Sequence, residues 1–438
     1  MDAFETESVT TEEASSESVQ TFEPGMDRSS SIMTAAEALE KLKRGEPIER
    51  TRVVGLKLRG EFTEPVRFRE VTLIQFEIEK STFNQEVAFE RCTLERPRFT
   101  RKSHFEKGLC FTASTLIKPD LRGMTVKGAF RCDNIRVRGR FLVEASRFEG
   151  RLRFWDAQFQ GWVELKRSEF VEEVDFRSIH VAEGFVISGC QFRSNVLFRG
   201  AAIQKKWQAD SSRFEKMLDF SKAKLHDFVY LEGIEQGESQ RFAFTNALAE
   251  RILIRPEQIV GRLASEEAGD HLQAMQEYGL LKRIFEGLHR YEEEDWAFYR
   301  FKVNQRLCKS RSWRNPWTKL SGMADWLLLD HGCGYGTNPF RAVRTALVII
   351  IGFALVYALN VQSLHIEDGH EPFAGDKGTL ANRLMIGTLT SVSAFTSGFG
   401  DIRGAATGWI NLPLIAESLM GTLLWGLFIV AFSRKVIR

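Results

Sequence analysis

Thr396, Ser397, Gly398, Phe399, Gly400 and Asp401 form a short string between two long apolar segments of this 438-residue chain. Two glycines flank an aromatic residue, with hydroxyls before them and a carboxylate after. The chemistry such a string suits is cation coordination by backbone carbonyls. Inward-turned carbonyl oxygens can replace an ion's hydration shell, where side chains are too bulky and too variable. Glycine reaches the positive φ angles that such a loop needs without a Cβ penalty. No nucleophile–base constellation, phosphate-cradling loop or zinc-ligand spacing occurs elsewhere, so no enzyme and no cofactor are expected. His365 and His370, five apart in a polar stretch, read as solvated side chains rather than metal ligands.

The flanking segments must position that string. Residues 342–361 are almost uninterruptedly apolar, and 409–432 are as long with one charge, Glu417. About 20 residues at ~1.5 Å rise cross a ~30 Å hydrocarbon layer. Arg341 and Arg344 precede the first run, and Arg434, Lys435 and Arg438 follow the second. Basic flanks stay on the cytoplasmic side, so both termini are expected there, in an inner-membrane protein. Residues 362–379 carry Glu367, Asp368, Glu371 and Asp376 and suit the outside. Residues 380–395 read as a helix too short to cross. Its C-terminal end, rich in free carbonyls, would favour a cation near the bilayer centre. A non-helical loop at that depth must be surrounded by protein or water.

Span, short helix, glycine string and span, in that order, resemble the two-transmembrane pore domain of the potassium-channel superfamily over residues 340–438. The resemblance implies an outer helix at 341–361, a pore helix at 380–395, a filter at 396–401 and an inner helix at 409–433. Thr396, Ser397, Gly398 and Phe399 would then supply the inward carbonyls, with Gly400 and Asp401 at the outer mouth. Four chains would close the ring, which makes the chain its own partner. The permeant ion would be potassium. Ser397 stands where the family usually has Val or Ile, which opens a weakly selective sodium and potassium reading. Gly421 is the better match to the family's inner-helix hinge, with Gly426 second; packing through small residues is the alternative. Glu417 is an intramembrane carboxylate and so a functional candidate, facing either the short helix or the ion path.

The upstream chain explains the composition, in which 35 phenylalanines stand against six tyrosines. Phe148, Phe159, Phe170, Val181, Phe192, Ile203, Phe214 and Leu225 are 11 apart. Phe154, Leu165, Phe176, Ile187, Phe198, Ala209, Phe220 and Leu231 run beside them at the same period. Phe83, Leu94, Phe105 and Leu116 share the spacing, and a one-residue slip reaches Phe62 and Leu73. Alternating gaps of six and five fit no helix; they fit short sides of a solenoid coil, each sending one large residue inward. Stretches such as FEGRLRFWDAQF, from Phe148 to Phe159, resemble degenerate pentapeptide repeats. That resemblance implies a right-handed quadrilateral β-helix within 51–240, with two 11-residue units per coil and about eight coils between residues 52 and 235.

A cap helix is expected at 34–43, within a 32–50 cap region, after an acidic disordered tail over 1–31 that shows no signal peptide. A helical hairpin should occupy 241–312. Its first helix carries Leu281, Ile284, Phe285 and Leu288 as one apolar stripe. Trp313, Trp317 and Trp326 mark an interfacial amphipathic segment within 313–340, at headgroup depth. The string at 278–300, the CGYG at Cys333 to Gly336, and Pro339, Phe340 and Arg341 resemble the linker of bacterial pentapeptide-repeat proteins fused to an ion-channel domain.

Net charge is +2, so nothing over the whole chain argues for nucleic acid. Residues 51–240 hold 33 Lys and Arg against 27 Asp and Glu, which excludes an acidic DNA-mimicking rod. Cys92, Cys110, Cys132, Cys190, Cys308 and Cys333 show no CxxC spacing and suit a reducing compartment. The expected whole is a tetrameric potassium-type channel with a cytosolic β-helical rod. Its rivals are a weakly selective channel and a membrane-anchored scaffold that conducts little.

Overall fold

The structure, a computed structural model, describes residues 31–100, 102–310, 322–323, 325–364, 379–397 and 408–436. The acidic tail up to residue 30, Trp313, Trp317, His365, His370, Gly398, Phe399, Gly400, Asp401 and Arg438 lie outside the described residues.

The repeat becomes a parallel β-solenoid. Phe148 pairs with Phe170, Phe170 with Phe192, and Phe192 with Phe214, so each ring meets the one two periods later. Two sequence units therefore make one coil. The coil from Leu121 to its partner Val143 has four short strands, Asp120–Arg122, Met124–Val126, Ala129–Asp133 and Arg136–Arg138, and each of these pairs with the fourth strand after it. One ladder has ten strands, from Ile48–Glu49 to Arg241–Ala243, which marks about ten turns. The repeat alone indicated eight. The ends escape the periodicity because coil length drifts there. Ile48 pairs with Phe68, which closes a coil shorter than two units, and Leu218 pairs with Phe242, which closes a longer one.

Inside, coil spacing becomes ring spacing. Adjacent strands lie ~4.8 Å apart, so phenylalanines at equivalent positions must stack. The centroids of Phe148 and Phe170 are 5.3 Å apart, those of Phe170 and Phe192 4.7 Å, and those of Phe192 and Phe214 4.8 Å. Phe154, Phe176, Phe198 and Phe220 form a second column at 5.2, 5.0 and 5.4 Å. Each buried ring contributes about 1.5–3 kcal/mol from area alone.

Corners recur with the same period. Gly123, Ala145, Arg167, Gly189 and Ser211 all have φ between 46° and 63°. Glycine adopts that conformation freely; for the L-residues it costs about 1–2 kcal/mol each, and coil stacking offsets it. The residue after each corner turns inward. Met124, Ser146 and Cys190 donate their backbone N–H to the hydroxyls of Ser146, Ser168 and Ser212, one coil further on. A buried hydroxyl ladder thus satisfies polar backbone that the bend would otherwise strand.

Both ends of the solenoid are covered. Helix α1, Ala35–Lys43, starts at Thr34, whose hydroxyl accepts from the Glu37 N–H, and buries Ala38 and Leu42. At the other end, α2, His271–Gly287, and α3, Tyr291–Ser310, form the expected hairpin. Leu281, Ile284 and Phe285 enter the solenoid core, and Leu288 packs at its edge. Outside, arginines pair with glutamates on adjacent coils, as Arg147 does with Glu169 and Arg151 with Glu173. Such pairs are worth little individually, but they leave a mixed-charge surface.

Two further helices, Pro339–Leu359 and Gly408–Ser433, are long and apolar enough to cross a membrane, with mean hydropathies of 2.3 and 1.9.

Candidate functional site

Three helices form the C-terminal module. Helix α4, Pro339–Leu359, begins with Pro339 at its first position, and the Asn338 side chain accepts from the Phe340 N–H. That is a standard start: the ring needs no donor there, and the carboxamide satisfies a free one. Helix α5 spans Leu380–Ser397, and α6 spans Asn411–Val436. Between α4 and α6, α5 packs against both.

Small residues let it do so. A Cβ added at Gly387 would collide with the Ala354 carbonyl oxygen on α4. One added at Gly421 of α6 would collide with the carbonyl oxygen of Phe395 on α5. Gly421 is therefore a packing position in this structure. A Cβ at Gly426 would meet nothing within 4 Å.

Helix α5 continues through Thr396 and Ser397, two residues beyond the expected end at 395. The Thr396 hydroxyl donates to the Val392 carbonyl at 2.7 Å, a bond a helical threonine makes to its preceding turn. Carbonyls in the last turn of a helix have no intrahelical partner, and those of Thr396 and Ser397 fall in that turn. Thr396 also borders an apolar cavity of about 250 Å³ with Ala346, Ile350, Leu424 and Phe428. The rest of the glycine string, Gly398 to Asp401, lies outside the described residues.

Glu417 occupies the middle of the module and is 0 % exposed. The Tyr357 hydroxyl of α4 donates to its Oε2 at 2.7 Å. Its Oε1 touches the Ser391 hydroxyl of α5. One side chain therefore ties three helices. Of the two orientations open to Glu417, the structure has the one toward the short helix. Neither Tyr357 nor Ser391 stood out in the sequence. A lone tyrosine in an apolar run and a serine in a Ser/Thr-rich helix were the available signals.

A second cluster joins the module to the hairpin. Asp330 lies in a π-helical turn, Asp325–His331, just before α4. Its Oδ1 accepts from the Tyr299 hydroxyl at 2.7 Å, and its Oδ2 pairs with Arg306 at 2.9 Å. The Arg341 guanidinium sits 4.9 Å from the centre of the Tyr299 ring. Trp326 and Leu327, in the same turn, are exposed. Arg344 is exposed at the same end of α4, and Lys435 is exposed near the end of α6.

At the solenoid's end, Glu277 is buried and accepts from the Phe244 N–H and the Thr245 hydroxyl at 3.0 Å, and from the Ser265 hydroxyl at 2.5 Å. Burial raises its carboxyl above the ordinary range, and those hydrogen bonds partly oppose the shift. Burial likewise pushes the Cys92 and Cys190 thiols up to about 11. Among the described residues no three His, Cys, Asp or Glu side chains stand together as a metal site. No protein-family model matches the chain, and no curated protein matches it.

Proposed function

We propose that the chain is the subunit of a homotetrameric, potassium-type cation channel of the inner membrane, with both termini cytoplasmic. Two helices of crossing length flank α5, and the glycine string follows directly from its C-terminal end. The observation that carries the reading is the arrangement of α5, held between the other two by the close approaches at Gly387 and Gly421 and by Glu417. A helix so held would present its carbonyl end at a fixed place, and the glycine string follows it in sequence. In a four-fold ring, Thr396 to Phe399 would line a path with carbonyl oxygens, and Gly400 and Asp401 would edge its outer mouth. Ions would shed water into those rings and advance by mutual repulsion.

The solenoid would be a right-handed, four-sided rod of the pentapeptide-repeat kind, in the cytoplasm. Four short strands per coil and one inward phenylalanine or aliphatic residue per side support this. Its role would be regulatory or in assembly, because the hairpin at its end touches the start of α4.

Potassium efflux from liposomes carrying the purified full chain tests the conduction reading. Flux in the native protein, lost in Gly398→Val, is the expected result. A native protein that folds and tetramerises but passes no ion would leave a membrane-anchored scaffold instead. Ser397 favours a second reading of the pore itself. Where the potassium-channel family usually has Val or Ile, this chain has a hydroxyl residue, which would weaken discrimination of potassium from sodium. Reversal potentials under bi-ionic conditions decide between the two: a strong potassium preference retires the weakly selective reading.

A further inference from the structure

The contacts around Glu417 hold one proton too few for a carboxylate. The Ser391 hydroxyl lies 2.9 Å from the Ile350 carbonyl oxygen and also touches Glu417 Oε1. A hydroxyl has a single proton to give. The Ile350 carbonyl can only accept, and a carboxylate can only accept. If Ser391 donates to Ile350, its contact with Glu417 has no hydrogen in it unless Glu417 brings one. If Ser391 donates to Glu417, the contact with Ile350 is empty. Both are bonded when Glu417 is a carboxylic acid: its O–H donates to Ser391, Ser391 donates to Ile350, and Tyr357 donates to the other oxygen of Glu417.

Charge leads to the same answer. An ionised carboxylate removed from water needs a cation or several strong donors, or it costs several kcal/mol. Among the described residues, Tyr357 is the titratable group that faces Glu417 from α4. On α5 the charged residue is Arg383, about two turns before Ser391 and so ~12 Å away along the helix. On α4, Arg341 and Arg344 lie at the opposite end from Tyr357, and on α6 Lys435 lies several turns beyond Glu417. No ion pair to Glu417 occurs among the described residues.

We infer that Glu417 is held as a neutral carboxylic acid and acts as a positioning residue, fixing α5 to α4 and α6. The inference rests on the channel reading for its consequence in flux, though not for its geometry. The neutral acid donates and accepts at once, so one side chain can bridge a hydroxyl on each neighbouring helix without carrying charge into the membrane. Position 417 then sets where the carbonyl end of α5 points.

Two measurements on the reconstituted full chain test it. At neutral pH, infrared difference spectra of the native protein against Glu417→Gln should contain a protonated-carboxyl C=O stretch that the variant lacks. In potassium efflux, Glu417→Gln should stay near the native rate, because a carboxamide also donates and accepts, whereas Glu417→Ala should fall by about tenfold or more, the equivalent of ~1.4 kcal/mol. Absence of the carboxyl band, or equal loss in the Gln and Ala variants, overturns the inference. If the native protein conducts nothing, the channel reading fails while the band still decides the protonation state. If Glu417→Ala does not fold, the comparison of native and Gln variants and the spectrum remain sufficient.

Discussion

Two glycines in the C-terminal module differ in what surrounds them, and that difference is testable. Gly421 has the Phe395 carbonyl against it, and Gly426 has open space. A methyl at 421 must push α6 away from α5 at the last turn before the glycine string. Gly421→Ala should therefore lower the thermal stability of the purified protein in detergent, whereas Gly426→Ala should leave stability unchanged or slightly raised, because Ala is the better helix former by about 1 kcal/mol. Equal melting temperatures for the two variants would show that α5 and α6 are not packed this way. The thiols give a second test at this scale. Cys92, Cys110, Cys132, Cys190 and Cys333 are buried, whereas Cys308 is half-buried. Native protein should take up maleimide first at Cys308, and the others should react only after denaturation; early labelling of Cys132 would contradict the solenoid core. Glu417 could be singled out from the sequence because a carboxylate in an apolar run must have a reason. Its partners could not, since Tyr357 and Ser391 belong to two other helices, far from it along the chain. Helix packing brings them together, and nothing local in the sequence records which faces meet.

Among the elements, the solenoid was the most legible. Its period is written in large side chains, and a stacked fold must repeat what each coil buries. The places where legibility failed are its ends, where a short first coil and a long last one break the spacing while the backbone ladder continues. The apolar stripe on α2 was equally readable, but the role of Glu277, one turn before Leu281, was not. A buried carboxylate that caps three donors has no periodic signature. In the columns, Phe170 has a stacked ring on each side, at 5.3 and 4.7 Å. Phe170→Ala should destabilise the solenoid by about 3–5 kcal/mol. The loss should appear in amide exchange of adjacent coils before distant ones; uniform loss would mean the rod is one cooperative block. Glu277 makes a prediction about pH. Its carboxyl is raised in the folded state, chiefly by burial. A group raised on folding contributes stability that is complete below its unfolded value and is lost as pH rises through the folded value. On acidification from neutral toward the ordinary glutamate range, the native protein should therefore gain melting temperature relative to Glu277→Gln. Parallel curves for the two proteins would show that Glu277 is not held in this environment.

At the scale of the whole molecule, the question is how the solenoid and the C-terminal helical module become one body. The order of the parts was legible from composition, because repeat, hairpin and apolar runs each carry their own periodicity. The join between them was not. It depends on Asp330, which is distant in sequence from both Arg306 and Tyr299 and belongs to no periodic pattern. The side chains of Arg306 and Asp330 are 13 % and 10 % exposed, so the pair is largely removed from water. Breaking a buried pair from one side strands a charge and costs about 3–5 kcal/mol, while replacing both partners with apolar residues of similar size is often neutral. Asp330→Ala should accordingly loosen α3 from the turn before α4, and Arg306→Met combined with Asp330→Leu should recover most of the loss. The measurement is thermal melting of the full chain in detergent, followed through a fluorophore attached at Cys308. The double variant distinguishes a joint held by charge compensation from one held by the Tyr299 and Arg341 stacking beside it. If Asp330→Ala melts like the native protein, the ion pair does not hold the joint, and the contact of Arg341 with the Tyr299 ring is the next to remove.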